Sequence, residues 1–262
     1  MRNSLKKQTW GNDTVENKAI DVGVLAGKIL VEAGSEMWRV EDTTKRIVDH
    51  ASVNNKTEAF TSLTGLLVNL KDTPYTRFMQ VEKRGINMDN INSVNTLSRQ
   101  YTADQLTLDE LEEKLLALKN ARPQYPLWLQ TIGAGFEGAF FMFIFTQTYN
   151  WADFPLAFFA GAVGYLVTYY VGSRVRIRFM SEFLGALTVG LCAVIGVRLH
   201  LGVNIENIII GAIMPPLPGI PMINSMRDIF EGNLLSGIER LMESLIILSA
   251  IAFGVGLILR YM

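Results

Sequence analysis

The sequence contains few of the residues from which disulfide frameworks, metal centres and hydrolase sites are built. It has one cysteine, Cys192, and two histidines, His50 and His200, among 262 residues. A single cysteine excludes a disulfide or a thiolate metal site within one chain, and neither histidine lies in a zinc-binding spacing such as HExxH. The nucleophile motif GxSxG and the P-loop motif are also missing. We therefore expect no catalytic residues, no bound metal and no cofactor.

The sequence also has almost no net charge. Its formal charge is −1 at pH 7, so nothing in the balance indicates a nucleic acid or an anionic surface as a partner. The charges are unevenly distributed, because no lysine follows Lys119. This contrast predicts two physically different domains, over residues 1–126 and 127–262. The N-terminus has no apolar stretch typical of a secretory signal, so we expect the first domain to stay in the cytoplasm.

The first domain begins with two predicted helices. The first is expected to open at Asp13, with Glu16 as its capping partner, and to stop at Gly34. The second is expected to begin at Ser35, and its ion pairs at i,i+4 spacing are typical of a solvated helix.

The rest of the first domain combines strand and helix patterns. Residues 57–70 and 75–85 are rich in Thr, Val, Leu and Phe and are joined by KDTP, which predicts a β-hairpin or a small antiparallel sheet. Helical spacing then returns, with a capping box from Thr107 to Glu110. The domain is predicted to be α+β and to end in the short linker NARPQYP.

The second domain has long apolar segments with the length of membrane-spanning helices. A helix of about 20 apolar residues crosses the ~30 Å hydrocarbon core of a bilayer. The sequence predicts an α-helical bundle of five spans, the fourth of them interrupted, at residues 127–147, 152–172, 182–201, 205–229 and 241–261.

The basic residues near the span ends predict the orientation of the chain. The loop TYNWAD has no basic residue, whereas SRVRIRF carries Arg174, Arg176 and Arg178, and the connection after the fourth span carries Arg227 and Arg240. Because arginine and lysine favour the cytoplasmic side, we expect the N-terminal domain inside and the C-terminus outside.

Glu137 lies near the middle of the first predicted span. An ionisable side chain at that depth costs about 2.5–3.5 kcal/mol on insertion scales unless it faces protein or water. Such a residue is a candidate for the substrate or ion pathway. The alternative is a structural pairing with an arginine or a backbone amide.

The fourth predicted span contains a cluster of residues that break helices. Within seven residues it carries Pro215, Pro216, Pro218, Gly219 and Pro221. Proline removes an amide donor and clashes with the preceding turn, and unpaired backbone is costly in lipid. The break is therefore expected to be buried in protein or to line a wet cavity, as interrupted helices of secondary transporters do. A proline kink used only for packing is the alternative.

The two half-helices beside the break suggest a ligand. A half-helix beginning near Ile220 would direct its free amides at the break and favour a carboxylate, while the preceding carbonyls could receive an ammonium group. A zwitterionic amino acid fits both poles. Asn224, Arg227 and Asp228 follow on the second half-helix and could add polar contacts, or form a charged cytoplasmic end.

Three separated stretches have the character of family motifs: LVEAGSEMWRVEDTTKRI at residues 30–47, GINMDNINSVNTLSRQ at 85–100 and IMPPLPGIPMINSMRDIFEGNLLSGIERLMES at 213–244. Together they resemble the threonine/serine exporter family. Ser35 and Trp38 stand where an alanine and a tyrosine are more usual in the family. The three motifs occur in the family's order and cover most of the chain.

The resemblance implies a secondary transporter that exports threonine and serine, or in some members a dicarboxylate such as succinate, driven by the proton gradient. Single-chain members have about ten spans, so this chain is similar to the larger component of the split form. That form needs a smaller membrane subunit of about four spans, which implies a homo- or hetero-oligomer in the bacterial inner membrane. A membrane-anchored hydrolase and a regulatory scaffold remain open as other functions.

The resemblance also assigns candidate residues. We expect Pro218 and Gly219 to shape the substrate site, Glu137 to couple protons, and Arg227 with Asp228 to gate. The positions that match the family motifs are Gly34, Glu36, Arg39 and Glu41 in the cytoplasmic domain, and Pro215, Pro218, Gly219, Asn224, Arg227, Asp228, Gly237 and Arg240 in the membrane domain, with Pro216 beside them.

Overall fold

The structure is a computed structural model that describes residues 15–52, 56–71, 76–82, 84–121, 125–147, 149–174 and 179–261. The predicted helix start at Asp13, most of the KDTP turn, the centre of the NARPQYP linker, and Arg176 and Arg178 lie outside these residues.

The described residues form ten helices and three strands. Their bounds are α1 Val15–Glu32, α2 Met37–Ala51, β1 Thr57–Thr61, β2 Gly65–Leu70, β3 Thr76–Gln80, α3 Met88–Thr102, α4 Leu108–Asn120, α5 Leu127–Thr146, α6 Phe154–Arg174, α7 Met180–Arg198, α8 Ile205–Ala212, α9 Gly219–Phe230 and α10 Leu234–Arg260.

The chain divides into two compact units. Unit 1 contains residues 1–121 and 223–240, and unit 2 contains residues 122–222 and 241–262. Helices α9 and α10 therefore contribute residues to both units. The division of the chain near residue 126 stays a prediction about domains, and the structure groups residues 223–240 with the N-terminal part.

Unit 1 contains a small antiparallel sheet with the strand order β1-β2-β3, which confirms the predicted sheet. In the register, Phe60 faces Leu67 and Leu67 faces Phe78. Side chains alternate across the sheet because successive residues of a strand point to opposite faces. Leu66 and Val68 therefore point into the core and are fully buried.

The core of unit 1 forms around α1, whose residues are buried on most faces, as shown by Ile20, Val24 and Leu30. The predicted capping box is confirmed at the start of α4. The Thr107 hydroxyl accepts a hydrogen bond from the Glu110 amide, and the Glu110 carboxylate accepts one from the Thr107 amide at 2.8 Å. This cap fixes α4 where its Leu side chains reach the core.

The connection from α9 to α10 also belongs to unit 1. Gly232 has φ +89°, and Asn233 donates its amide to the Asp228 carbonyl at 2.8 Å, a six-residue closure that ends α9. Helix α10 then begins at Leu234, and the Ser236 hydroxyl donates to the carbonyl of Thr61 at the end of β1. The sequence predicts Arg240 in the connection between the fourth and fifth spans, whereas in the structure it lies within α10, which begins at Leu234. Contacts of the first two turns with unit 1 extend the helix back to Leu234.

Of the described helices, four are long and apolar enough to cross a membrane: α5, α6, α7 and α10. They correspond to the first, second, third and fifth predicted spans. The fourth predicted span corresponds to α8, of eight residues, and α9, of twelve, with residues 213–218 between them. Neither helix is long enough to cross alone, so the count of five crossings stays a prediction.

The helices of unit 2 pack closely through small residues. A Cβ placed on Gly138 of α5 would lie 3.1 Å from the Ala212 Cα in α8, and one on Gly161 of α6 would lie 3.1 Å from the Ala134 carbonyl oxygen. Backbones approach this closely only where side chains are absent or small. The packed centre of the unit includes Met142 and Ile208, which are almost fully buried.

Candidate functional site

The site forms at the tight turn between α1 and α2. Gly34 has φ +81°, and Ser35 and Gly34 donate their amides to the carbonyls of Leu30 and Val31 at 3.0 and 3.1 Å. These two bonds form a Schellman motif with glycine at its left-handed position. A Cβ on Gly34 would also lie 2.7 Å from the Gly85 carbonyl oxygen, so a side chain is excluded for two reasons.

The next two carbonyls at the end of α1 are satisfied from another segment. The Gly85 amide donates to the Glu32 carbonyl at 2.9 Å, and the Asn87 amide donates to the Ala33 carbonyl at 3.0 Å. The last carbonyls of a helix have no partner within the helix, so such contacts are needed where the helix end is buried.

The carbonyls of the turn itself accept from side chains of α9 and α10. The Asn224 amide nitrogen donates to the Gly34 carbonyl at 3.0 Å. Arg240 donates from Nη2 to the Ser35 carbonyl at 2.9 Å and from Nη1 to the Gly34 carbonyl at 3.4 Å. Residues about 190 positions apart in the chain therefore meet at one turn.

Asp228 caps the beginning of α2 from outside that helix. Its Oδ1 accepts the Met37 amide at 2.7 Å, while the residue at the N-cap position, Glu36, makes no side-chain cap bond. The Asp228 Oδ2 lies 3.5 Å from the Arg240 Nε, and the two side chains are 0% and 6% exposed. Asp228 thus serves as helix cap and as counter-ion of a buried arginine.

Glu36 receives two arginines at the same position. Arg227 donates from Nη1 to the Glu36 Oε1 at 2.8 Å, and the Arg39 Nε lies 3.1 Å from Oε2. Partial burial favours the neutral carboxyl group and opposes ionisation. The backbone hydrogen bond at Glu36 and the charges of Arg39 and Arg227 outweigh it, so the pKa of Glu36 lies below its usual range.

Glu41 lies one turn further along α2. Its Oε1 accepts the Thr61 hydroxyl at 3.0 Å, and its Oε2 lies 3.5 Å from the Lys45 ammonium. With its amide oriented to satisfy both groups, Asn233 donates to the Glu41 Oε1 at 3.2 Å and accepts the Trp38 amide at 3.3 Å. Glu41 therefore joins α2 to β1 and to the α9–α10 connection.

Comparison with protein families decides the class of the chain. The model of the family described as "Putative threonine/serine exporter" matches residues 21–262.

The chain belongs to the threonine/serine exporter family.

Three relatives are similar to the chain over most of its length. A "Probable succinate transporter subunit YjjP" of Klebsiella aerogenes is 24% identical over 86% of the chain and 87% of that protein. Its Escherichia coli counterpart is 23% identical over 83% of the chain and 84% of that protein. A "Probable threonine/serine exporter" of Mycobacterium tuberculosis is 23% identical over 95% of the chain, which spans only 47% of that protein. No solved structure matches the chain.

Two of the three family motifs, at residues 30–47 and 213–244, contribute the residues of one polar cluster in this exporter-family chain. We use the term polar cluster for Gly34, Glu36, Arg39, Asn224, Arg227, Asp228 and Arg240. Glu41 lies at its edge. The sequence analysis assigned these residues to two separate domains and did not predict their contact.

Three contributors to the cluster and its edge are not predicted from the sequence, Ser35, Met37 and Asn233. Ser236 is not predicted either, and it binds the Thr61 carbonyl beside them. Ser35 and Met37 take part through their backbone, which no side-chain pattern indicates. Asn233 and Ser236 lie inside the third motif of the exporter family, and their position beside Arg227 and Arg240 was the only signal for them.

The remaining five predicted site residues lie in unit 2. Glu137 lies on the exposed face of α5, and no hydrogen bond or ion pair joins it to another residue in the part of the chain that the structure describes. Pro215 and Pro216 lie in the segment between α8 and α9 and are half-buried, whereas Pro218 is buried. Gly219 is the first residue of α9.

Proposed function

We propose that the chain is a subunit of a secondary transporter that exports threonine and serine across the bacterial cytoplasmic membrane, driven by the proton gradient. The observation that carries this proposal is the family match over residues 21–262 together with four helices able to cross a membrane. The family assignment favours transport over a membrane-anchored hydrolase or a regulatory scaffold.

Succinate or a similar dicarboxylate is the second candidate substrate. It is favoured by the names of two relatives that cover most of their own length. Threonine, serine and succinate each carry a carboxylate group, so one carboxylate-binding site could accept either substrate class.

The proposed membrane topology has five crossings, with the N-terminal domain in the cytoplasm. In this topology α8 and α9 together form the fourth crossing, interrupted at residues 213–218. The substrate site lies at that interruption, where Pro218 and Gly219 shape the backbone. Support comes from the end of α8 at Ala212 and the start of α9 at Gly219, because the backbone between them must be covered by protein or water in a bilayer.

Glu137 is the proposed proton-coupling residue. It lies mid-way along α5 and is exposed in the structure, and in a bilayer such a side chain has to face protein or water. Glu137→Gln keeps the size and removes the titratable group, so it should abolish stimulation of transport by a pH gradient. Full gradient-driven transport by this variant would remove the coupling role.

Arg227 and Asp228 are the proposed gate. Both bind the N-terminal end of α2, Arg227 through Glu36 and Asp228 through the Met37 amide. A gate needs contacts that can be made in one state and released in another, and charged pairs on adjacent residues provide them. Arg240 and Asn224 would then hold the α1–α2 turn in place while the gate moves.

The transporter is proposed to require a smaller membrane subunit of about four spans and to work as an oligomer. Two relatives are named transporter subunits, and the chain spans only 47% of the Mycobacterium tuberculosis exporter. A single-chain relative of about twice the length is consistent with a second component for this chain.

Cellular accumulation tests the proposal and separates its substrates. Cells lacking the chain and a smaller membrane protein encoded beside it should accumulate threonine and serine when fed threonine-containing dipeptides, and re-expression of both should restore export. Accumulation of succinate alone would select the second candidate. No change in any of the three would contradict the proposed function.

A further inference from the structure

Glu36 is bound by two arginines in an arrangement that is unusual for a simple surface ion pair. Arg227 and Arg39 approach opposite oxygens of the same carboxylate, at 2.8 and 3.1 Å. Two positive charges therefore face one negative charge. The Glu36 side chain is only 10% exposed, so the carboxylate is held within the cluster and not at its edge.

Both arginines have donors to spare. A guanidinium carries five N–H groups, and a carboxylate can use two of them at once. Within the described residues, the only hydrogen-bond or ion-pair partner of Arg227 is Glu36, and its side chain is 60% exposed. Arg39 is 34% exposed, and its guanidinium lies 5.3 Å from the centre of the Trp38 ring. The guanidinium therefore makes a cation–π contact with the tryptophan.

The backbone around Glu36 also favours a negative charge at this position. Glu36 is the N-cap residue of α2, so the site lies where the helix dipole favours a negative charge. The first amide of α2 is already bound by Asp228, so an arriving anion would rely on the two guanidinium groups. The charge of the Asp228 carboxylate is balanced by Arg240 and does not cancel the positive excess at Arg39 and Arg227.

We propose that Arg39 and Arg227 form a docking site for the carboxylate group of a transported substrate, and that Glu36 occupies this site as an internal competitor in the structure. The ligand class is a small carboxylate: the α-carboxylate of an amino acid, or one end of a dicarboxylate. On binding, the substrate carboxylate takes the place of the Glu36 carboxylate between the two guanidinium groups. The inference rests on the proposed transport function and assigns a carboxylate site to unit 1 by itself.

Equilibrium binding to the purified full-length chain in lipid nanodiscs tests the site. The probes are L-threonine and succinate, each compared with the amide that replaces its carboxylate groups, threoninamide or succinamide. Arg227→Gln and Arg39→Gln should each weaken carboxylate binding about tenfold or more, because each removes a charge-assisted bond. Arg46→Gln is the matched control. Arg46 also lies on α2 and is similarly exposed, and among the described residues its ion-pair partner is Asp42 on the surface.

Glu36→Gln gives the result that distinguishes a competitor from a structural carboxylate. If Glu36 competes with the substrate, this change should strengthen carboxylate binding several-fold and leave the amides unaffected. A structural role for Glu36 predicts equal or weaker binding. Unchanged binding in Arg227→Gln and Arg39→Gln, or equal or weaker binding in Glu36→Gln measured well below the unfolding temperature of that variant, would overturn the docking site. Binding of neither carboxylate by the wild-type chain would overturn it as well.

The two probes, threonine and succinate, also distinguish which class of carboxylate the site binds. Dependence on the arginines for threonine assigns the site to amino acids, and the same dependence for succinate alone assigns it to dicarboxylates. Transport measured separately keeps this test apart from the proposed function. Arginine-dependent binding in a chain that transports nothing would support the site and contradict the function. Normal transport by Arg39→Gln with unchanged carboxylate affinity would contradict the site and leave the proposed function standing.

Discussion

Asp228 and Arg240 show how much the polar cluster depends on single side chains. Both are buried, their charged groups lie 3.5 Å apart, and each also binds backbone of the α1–α2 turn. A buried ion pair gains little over an apolar pair of the same volume, but the loss of one partner is costly because the other charge stays buried. The importance of the pair therefore lies in the cost of breaking it.

Asp228→Ala should destabilise the protein by about 3–5 kcal/mol, because it removes the carboxylate that faces Arg240 and the acceptor for the Met37 amide. Asp42→Ala is the control, since Asp42 is half exposed and pairs with Arg46 on the surface, and it should cost about 0–1 kcal/mol. Thermal unfolding of the detergent-purified chain measures both. Equal losses of stability in the two variants would show that the Asp228–Arg240 pair contributes no more than a surface ion pair.

Glu36 should make stability depend on pH. Its pKa is lower in the folded protein than in the unfolded chain, so its contribution is fully present above the unfolded value of about 4.3 and is lost as pH falls through the folded value. Wild type should therefore be more stable than Glu36→Gln at pH 7, and the difference should shrink below about pH 4.5. Unfolding temperatures of both proteins between neutral and acidic pH measure this, and a constant difference would contradict the account.

At the scale of helices and strands, the local patterns were read correctly from the sequence. The capping box at Thr107 and the small antiparallel sheet both depend on residues close together in the chain. Local spacing predicts the capping box, and local composition with the KDTP turn predicts the sheet. The contact of Gly34 with Asn224 joins residues 190 positions apart, and no periodicity encodes it. The family resemblance identified both segments but not their meeting.

The start of α10 shows why the position of a charged residue in sequence does not predict its environment in the fold. The sequence predicts Arg240 in the connection between the fourth and fifth spans, where a basic residue favours the cytoplasmic side. In the structure Arg240 lies inside the helix, where the turn carbonyls and Asp228 surround its guanidinium. The partners of a buried charge come from distant segments, so its environment cannot be derived from its neighbours in sequence.

The packing of α10 against α9 depends on Gly237. A Cβ at this position would lie 2.6 Å from the Ile229 Cγ1 and 2.9 Å from the Ser225 carbonyl oxygen. Gly237→Ala should therefore force the two helices apart and cost about 1–3 kcal/mol.

Gly256→Ala is the matched control for this change. It lies on the same helix, and a Cβ there meets nothing within 4 Å, so the substitution should cost nothing measurable. Thermal unfolding compares the two variants. A Gly237→Ala protein as stable as Gly256→Ala would show that α9 and α10 do not approach closely at this position.

At the scale of the whole molecule, the chain belongs to an exporter family and carries four helices able to cross a membrane. Composition and apolar length predicted a membrane protein with an attached α+β domain, because hydrocarbon imposes a minimum span length that is visible in the sequence. The path of residues 205–229 is harder to predict from the sequence. Two short helices can cross a bilayer only where surrounding protein or water covers the backbone between them.

Efflux from loaded cells tests the central claim most directly. Cells are preloaded with radiolabelled threonine, serine or succinate, and release is followed with the chain expressed together with its smaller membrane partner, alone, or as Glu137→Gln. The account predicts release of one substrate class that requires both chains, rises with the proton gradient, and loses that rise in Glu137→Gln. Release at the same rate in cells without the chain, for all three substrates, would contradict it.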